Sequence, residues 1–135
     1  MRPPDEVRKG IVRQWLAKAE EDVEASGTLL SAEPPLLYAS CFHAQQAAEK
    51  YIKALLAWHQ VEFPKTHEIE QLLDLLTPVD AGVARSVTAA AALTSYAVDT
   101  RYPGDLPDPT FAEARRALEL AREVREAVLG ALPLE

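Results

Sequence analysis

The stretch CFHAQQAAEKYIKALL, residues 41–56, decides the fold. Its apolar residues recur at steps of three and four, which predicts an amphipathic helix with one buried face. At about 100° per residue, however, Gln45 falls inside the apolar arc and Glu49 falls at its edge. Burying an amide or a carboxylate is costly unless each finds a partner. The stretch therefore predicts both a packed helix and a polar contact inside the protein.

Prolines divide the remaining sequence into further helices, because they cluster between long proline-free spans. The predicted helices cover residues 5–30, 36–60, a short segment that opens at Thr66, residues 80–98 and residues 110–132. No strand pattern and no internal repeat is apparent. Since short connections join helices that each carry an apolar stripe, we predict one all-α domain over residues 1–135. Its architecture is an up-and-down four-helix bundle with one additional short helix.

Composition and charge narrow the function. With 135 residues, of which 48% are hydrophobic, the chain is large enough for a single core. The formal net charge of -7 argues against a protein that coats nucleic acid, because such affinity comes from neutralising phosphates with Lys and Arg. Residues 34–67 are the exception, since they hold three basic and two acidic residues and all three histidines. We expect any anionic ligand to bind there.

The single cysteine, Cys41, excludes an internal disulfide and lies in an apolar stripe, so we expect a buried thiol. No signal-peptide pattern and no long apolar run is present, which predicts a cytoplasmic protein that does not associate with membranes. The spacing of His43, His59 and His67 relative to one another and to the cysteine matches no metal site. We therefore predict no cofactor.

Helical phase places four polar side chains toward the interior. Asp22 lies on the first helix, Gln45 and Glu49 on the second, and Arg101 at the end of the fourth. Because buried charges need one another, we predict a contact of Arg101 with one of the two carboxylates, bridged by the amide.

Three further residues complete the candidate site. Lys50 and Lys53 are predicted to lie nearby on the outward face of the second helix, where they can attract phosphate. Tyr102 opens a loop rich in Pro, Gly and Asp, and such loops commonly carry binding groups. The residues leave two readings of this cluster open. It is either a self-satisfied structural network or a binding site.

Four stretches stand out in this order over about residues 13–128: Trp15 with AEEDVEAS, CFHAQQAAEKYIKALL, KTHEI and TSYAVDTRYP. Together they resemble a known family, the HEPN domain (higher eukaryotes and prokaryotes nucleotide-binding domain). The resemblance implies a helical bundle that commonly dimerises. It also implies a gene neighbour that encodes a minimal nucleotidyltransferase, in a toxin–antitoxin-like module, and a nucleotide or RNA as ligand. Many members of the family are metal-independent ribonucleases.

In those ribonucleases the activity is attributed to an Arg, four to six residues, and then a His. Arg101 matches the first position, but positions 106–108 carry Leu, Pro and Asp, and His67 is the last histidine in the chain. We expect His43 to face solvent and His67 to belong to a helix start. The resemblance thus implies no cleavage through the usual motif, and no catalytic residue is assigned.

Two hypotheses from different classes follow. We favour a binding and assembly module, the partner of a minimal nucleotidyltransferase, which binds a nucleotide or the partner protein at the polar end of the bundle. The alternative is a metal-independent ribonuclease toxin with a rearranged active site. We also predict a homodimer, because Phe42, Trp58 and Phe63 fall outside the main apolar stripe and give one bundle more apolar surface than it can cover.

Overall fold

The computed structural model describes residues 4–97 and 108–134, and these ranges contain helices and loops but no β-strand. The prediction of an all-α bundle is confirmed. In chain order the helices are α1 (Pro4–Leu30), α2 (Leu37–Trp58), α3 (Ile69–Leu76), α4 (Ala81–Ser86), a 3-10 helix (Thr88–Tyr96) and α5 (Phe111–Ala131). Within the described ranges, no helix is both long enough and apolar enough to cross a membrane.

Helices α1 and α2 form an antiparallel pair that is fastened at both ends. At the end away from the loop that joins the two helices, Arg8 near the start of α1 donates to the carbonyl oxygen of Trp58 at the end of α2, at 3.1 Å. At the loop end, the hydroxyls of Ser26 and Ser40 each donate to the other residue's carbonyl oxygen at 2.8 Å. Because serine side chains are small, the two backbones approach closely there. This pair is the framework on which the polar side chains of the site sit.

Helix α2 is the centre of the protein, since it packs against α1, α3, α5 and the 3-10 helix. Its long continuous burial follows from this position, and Cys41 is buried as the sequence predicts. The largest fully buried apolar side chains include Tyr51, Ile52, Leu55, Leu56, Leu72, Leu76, Val124 and Val128. A polar side chain on α2 therefore meets protein on almost every side.

The fourth predicted helix is divided. An α-helix ends at Ser86, Val87 breaks the pattern with φ -118° and ψ 19°, and the 3-10 helix continues to Tyr96. Burial in this region recurs every third residue, at Val87, Ala90 and Leu93. That spacing is the period of a 3-10 helix, so core packing overrides the α-helical preference of the alanines.

Helix α5 begins with a capping box. The Glu113 backbone nitrogen donates to the Thr110 hydroxyl at 3.1 Å, and the Thr110 nitrogen donates to the Glu113 carboxylate at 2.8 Å.

Further along α5, Arg125 pairs with Glu20 of α1 at 2.7 Å. Burial, together with this nearby carboxylate, raises the pKa of the Tyr51 hydroxyl above its usual range. The ion pair thus joins α1 and α5.

The aromatic residues expected outside the main stripe are all half-buried. The guanidinium of Arg8 lies 3.8 Å above the ring of Trp58, and Phe63 packs edge-on against Trp15 with 6.0 Å between ring centres. Phe42 packs against the neighbouring imidazole of His43. Large exposed apolar side chains lie elsewhere, at Val7, Ile11, Leu36, Val79 and Phe111.

Candidate functional site

Glu49 is the centre of a buried polar network on α2. The residue is 3% exposed, and its two carboxylate oxygens have three partners. Oε1 accepts from Gln45 at 3.1 Å and lies 2.9 Å from Nδ1 of His67, while Oε2 accepts from Nζ of Lys53 at 2.7 Å. We refer to these four residues as the Glu49 cluster.

The Glu49 carboxyl is held in its ionised form. Burial raises its pKa, but hydrogen bonds from Lys53, His67 and Gln45 outweigh that effect and leave the pKa below its usual range. Because the carboxylate can only accept, Nδ1 of His67 must be the donor in the contact between them. The second ring nitrogen, Nε2, is then available as an acceptor whenever the imidazole is neutral.

Gln45 is buried, as its helical phase predicts, and its side chain finds the hydrogen-bond partners that burial requires. The side chain has no solvent exposure, and its nitrogen donates to both Glu49 and the backbone oxygen of His67, each at 3.1 Å. Its oxygen accepts from the side chain of Gln46 at 2.7 Å. The buried amide is satisfied on both sides and fastens the segment before α3 to the middle of α2.

Lys53 corrects the sequence analysis, which placed it on the outward face. It is only 6% exposed, because the chain after α2 folds back over it. Its ammonium lies 5.5 Å from the ring centre of Trp15 and 5.7 Å from that of Phe63, while it donates to Glu49. Two aromatic faces and a carboxylate together stabilise a cation that would otherwise be costly to bury.

A second group of charged side chains lies between α1 and α2. Asp22 is buried, as its helical phase predicts, and it accepts from Lys50 at 2.5 Å. Its other oxygen lies 2.8 Å from Nδ1 of His43, whose side chain is 34% exposed. His43 was expected to face solvent, and its ring is instead held half-buried against α1. We refer to Asp22, His43 and Lys50 as the Asp22 cluster.

The two clusters are separate networks, and no hydrogen bond joins them in the part of the chain that the structure describes. The sequence analysis expected Asp22, Gln45 and Glu49 to converge on Arg101. Arg101 and Tyr102 lie outside the described residues, so that contact stays a prediction. Among the described residues, each carboxylate has a lysine as its cationic partner.

The surface beside the Asp22 cluster is acidic rather than basic. A shallow groove borders it, lined by Glu21, Glu24, Ala25, Thr28, Leu29 and His43. The two glutamates disfavour a phosphate at this position.

Among the described residues, no three His, Cys, Asp or Glu side chains are grouped so that they could hold a metal ion.

His67 lies directly before the N-cap of α3, at the helix start to which the sequence analysis assigned it. The sequence analysis did not foresee that its ring crosses to α2 and contacts Glu49. The signal was present in two facts that were not combined: a buried carboxylate on α2 needs donors, and KTHEI supplies an imidazole just before an apolar helix. Only the path of residues 59–68 brings them together.

Comparison with known proteins agrees with the resemblance seen in the sequence. A family model described as the HEPN domain matches residues 12–131. The crystal structure of TT1696 from Thermus thermophilus shares 35% identity and a TM-score of 0.71, over 90% of this chain and 98% of that chain. The crystal structure of ST0689, an archaeal HEPN homologue, shares 26% identity and a TM-score of 0.68, over 88% and 95%.

A search among curated proteins found no match. The family match, by contrast, extends from the third turn of α1 to the end of α5 and includes both clusters. The helical bundle is also shared with both solved structures over nearly their whole length. The chain belongs to the HEPN domain family.

Proposed function

We propose that this HEPN domain is a binding and assembly module that pairs with a minimal nucleotidyltransferase in a cytoplasmic, toxin–antitoxin-like two-component system. The sequence analysis expected the partner at the polar end of the bundle; since the two clusters lie along the middle of α2, we propose that the partner binds on the face that carries them. Membership in the family supports the proposal, because the resemblance implies such a neighbour. The pairing of the charged side chains within the site supports a protein partner over a free nucleotide.

That pairing is the observation that carries the proposal. Both lysines of the candidate site are engaged, Lys50 with Asp22 and Lys53 with Glu49. A phosphate that recruited either ammonium would lie next to the carboxylate it displaced, and like charges at such distances repel. A protein surface can complement a mixed-charge face without breaking these pairs.

The usual ribonuclease motif gives no support for catalysis, since positions 106–108 carry Leu, Pro and Asp where a His would stand. Binding does not need that His. If a nucleotide or RNA binds as well, Arg101 and Tyr102, which lie outside the described residues, are the candidates that remain. The proposed module therefore binds without turning over a substrate through this motif.

Affinity purification from the native host tests the proposal. A tagged copy at its natural expression level should retain a small nucleotidyltransferase in near-stoichiometric amount, identified by mass spectrometry. The matched control carries Lys50→Glu, which places a second negative charge beside Asp22 and should weaken retention. Purification that yields this protein alone, from cells that do contain a nucleotidyltransferase encoded beside it, contradicts the proposal.

The second candidate function is a metal-independent ribonuclease with a rearranged active site. One observation favours it. The structure pairs an exposed imidazole, that of His67, with a buried and ionised carboxylate, that of Glu49. Such a pair can move protons, which is the capacity that the missing motif histidine would have supplied. Cleavage of single-stranded RNA by the purified protein, above a buffer control, tests this candidate.

A further inference from the structure

The outer side of α1 carries a regular line of side chains. The line steps alternately by four and three residues through Val7, Ile11, Gln14, Lys18, Glu21 and Ala25, and it ends at Thr28. All of these residues are exposed except Ala25, which is half-buried. Such a spacing keeps side chains on one side of a helix, and it is the spacing along which two helices pack together. We refer to this line as the α1 seam.

The middle of the α1 seam carries two opposite charges. Lys18 and Glu21 are exposed, and neither forms an ion pair or a side-chain hydrogen bond with a described residue. The whole helix shows the same separation of charge. Residues 8–18 hold four basic and no acidic side chains, whereas residues 20–24 hold four acidic and no basic ones. A second α1 that runs in the opposite direction therefore complements the first in charge.

The two ends of the α1 seam also complement each other. At the N-terminal end, Val7 and Ile11 are 42% and 45% exposed, although both are large and apolar. At the C-terminal end, the seam borders the shallow groove described above, where Ala25 and Leu29 supply apolar surface beside Thr28. Among the described helices only α2 and α5 contact α1. An antiparallel second α1 brings the apolar pair of each copy to the groove of the other.

We infer that α1 is a self-association helix, which packs antiparallel along α1 of a second copy of this chain. In the register that places Lys18 opposite Glu21 of the second copy, two-fold symmetry repeats the same ion pair. This register also places Ile11 opposite Thr28 of the second copy. The inference gives the predicted homodimer a surface and a direction, and it does not depend on the nucleotidyltransferase partner.

Two charge-reversal variants test the ion pair, because each is defective alone and the two are compatible together. Lys18→Glu leaves two glutamates in the middle of the seam, and Glu21→Lys leaves two lysines there. Like charges then meet twice in either homodimer, so its dissociation constant should rise by about tenfold or more in analytical ultracentrifugation. An equimolar mixture should form a heterodimer with the wild-type dissociation constant, since every contact then joins opposite charges.

Arg85→Glu is the matched control. It changes the net charge by the same amount as Lys18→Glu, and it lies exposed on α4, which does not contact α1 in the described part of the chain. Its dissociation constant should equal that of the wild-type protein. If the control weakens the dimer as much as Lys18→Glu does, net charge rather than the α1 seam governs association, and the inference is overturned. Since all three side chains are exposed, each variant should melt close to the wild type.

Cysteine cross-linking tests the antiparallel direction. The single native cysteine, Cys41, is buried, so a cysteine introduced into the α1 seam is the accessible thiol. With a mild oxidant, a mixture of Ile11→Cys and Thr28→Cys should form disulfide-linked dimers faster than either variant alone. A parallel pair would instead link each variant to itself, and that result overturns the antiparallel arrangement.

The outcomes separate the seam from dimerisation itself. If the wild-type protein dimerises and both charge variants dimerise equally well, the homodimer forms through another surface and the inference is overturned. If both variants are weakened but their mixture forms no heterodimer, Lys18 and Glu21 do not meet, and the inference is again overturned. A wild-type protein that is monomeric overturns both the homodimer and the seam.

Discussion

Glu49 and Lys53 are an ion pair in a place where charges are costly. Removing two such groups from water carries a penalty of several kcal/mol for each ion, and only good geometry with further hydrogen bonds compensates for it. Gln45, His67 and two aromatic rings provide those contacts. At the scale of single residues, the pair is stable because its neighbours complete it.

Removing the carboxylate of Glu49 should show how much it contributes to the stability of the protein. Glu49→Ala leaves the buried ammonium of Lys53 without a counter-charge, so we expect the free energy of unfolding to fall by about 3 to 5 kcal/mol. Urea denaturation measures the change. The control is Glu123→Ala, whose ion pair with Arg116 is exposed and should cost less than about 1 kcal/mol. Equal losses from the two substitutions would show that burial is irrelevant.

The lowered pKa of Glu49 predicts that the stability of the protein depends on pH. Because folding lowers the pKa of Glu49 below its ordinary value of 4.5, its contribution to stability is present above that value and is lost as pH falls through the lower, folded pKa. Between about pH 5 and pH 3, the wild-type protein should lose more stability than Glu49→Gln, which has no carboxyl to protonate there. Parallel stability curves for the two proteins would contradict the lowered pKa.

Helical phase predicted the burial of Asp22, Gln45 and Glu49, because it fixes the direction in which each Cβ points. It failed for Lys53, whose four-carbon chain carries its charge away from the direction of its Cβ. It also failed for His67, since the partner of a loop residue depends on tertiary contacts. The burial of the two carboxylates and the amide could be predicted from the sequence, whereas the burial of Lys53 and the pairings of the site could not.

At the scale of elements, the ends of the α-helices were predicted within a few residues, and the segment after Asp80 was not. Alanine-rich sequence favours an α-helix by propensity, but packing every third residue against the core imposes a 3-10 helix. The 3-10 helix also stabilises the start of α3, because the hydroxyl of Thr94 accepts from the backbone nitrogen of Ile69 at 3.1 Å. An orphan donor at the start of α3 is thereby satisfied.

The capping box of α5 gives a prediction at this scale. Thr110→Ala removes the acceptor for the Glu113 nitrogen and should lower the free energy of unfolding by about 1 kcal/mol. Thermal melting followed by circular dichroism measures it. Thr110→Ser keeps the hydroxyl and should retain most of the stability. A serine variant as unstable as the alanine variant would mean that the threonine methyl group, rather than the cap, is what matters.

At the scale of the whole molecule, the homodimer stays a prediction, but we now expect it to form through a different surface. The aromatic residues on which it was based are half-buried, whereas Val7 and Ile11 are exposed one turn apart on α1. We expect light scattering to show a dimer at micromolar concentration and Ile11→Lys to shift it toward the monomer. Leu36→Lys, in the loop between α1 and α2, is the control. A monomeric wild-type protein contradicts the prediction.

The central claim is that this HEPN domain assembles with a minimal nucleotidyltransferase. The most direct measurement is light scattering on the purified protein after co-expression with whichever minimal nucleotidyltransferase its native genome encodes beside it. The account predicts one stoichiometric complex whose mass is the sum of both components and whose formation is weakened by Lys50→Glu. Two species that elute separately, each with the mass it has alone, would contradict the account.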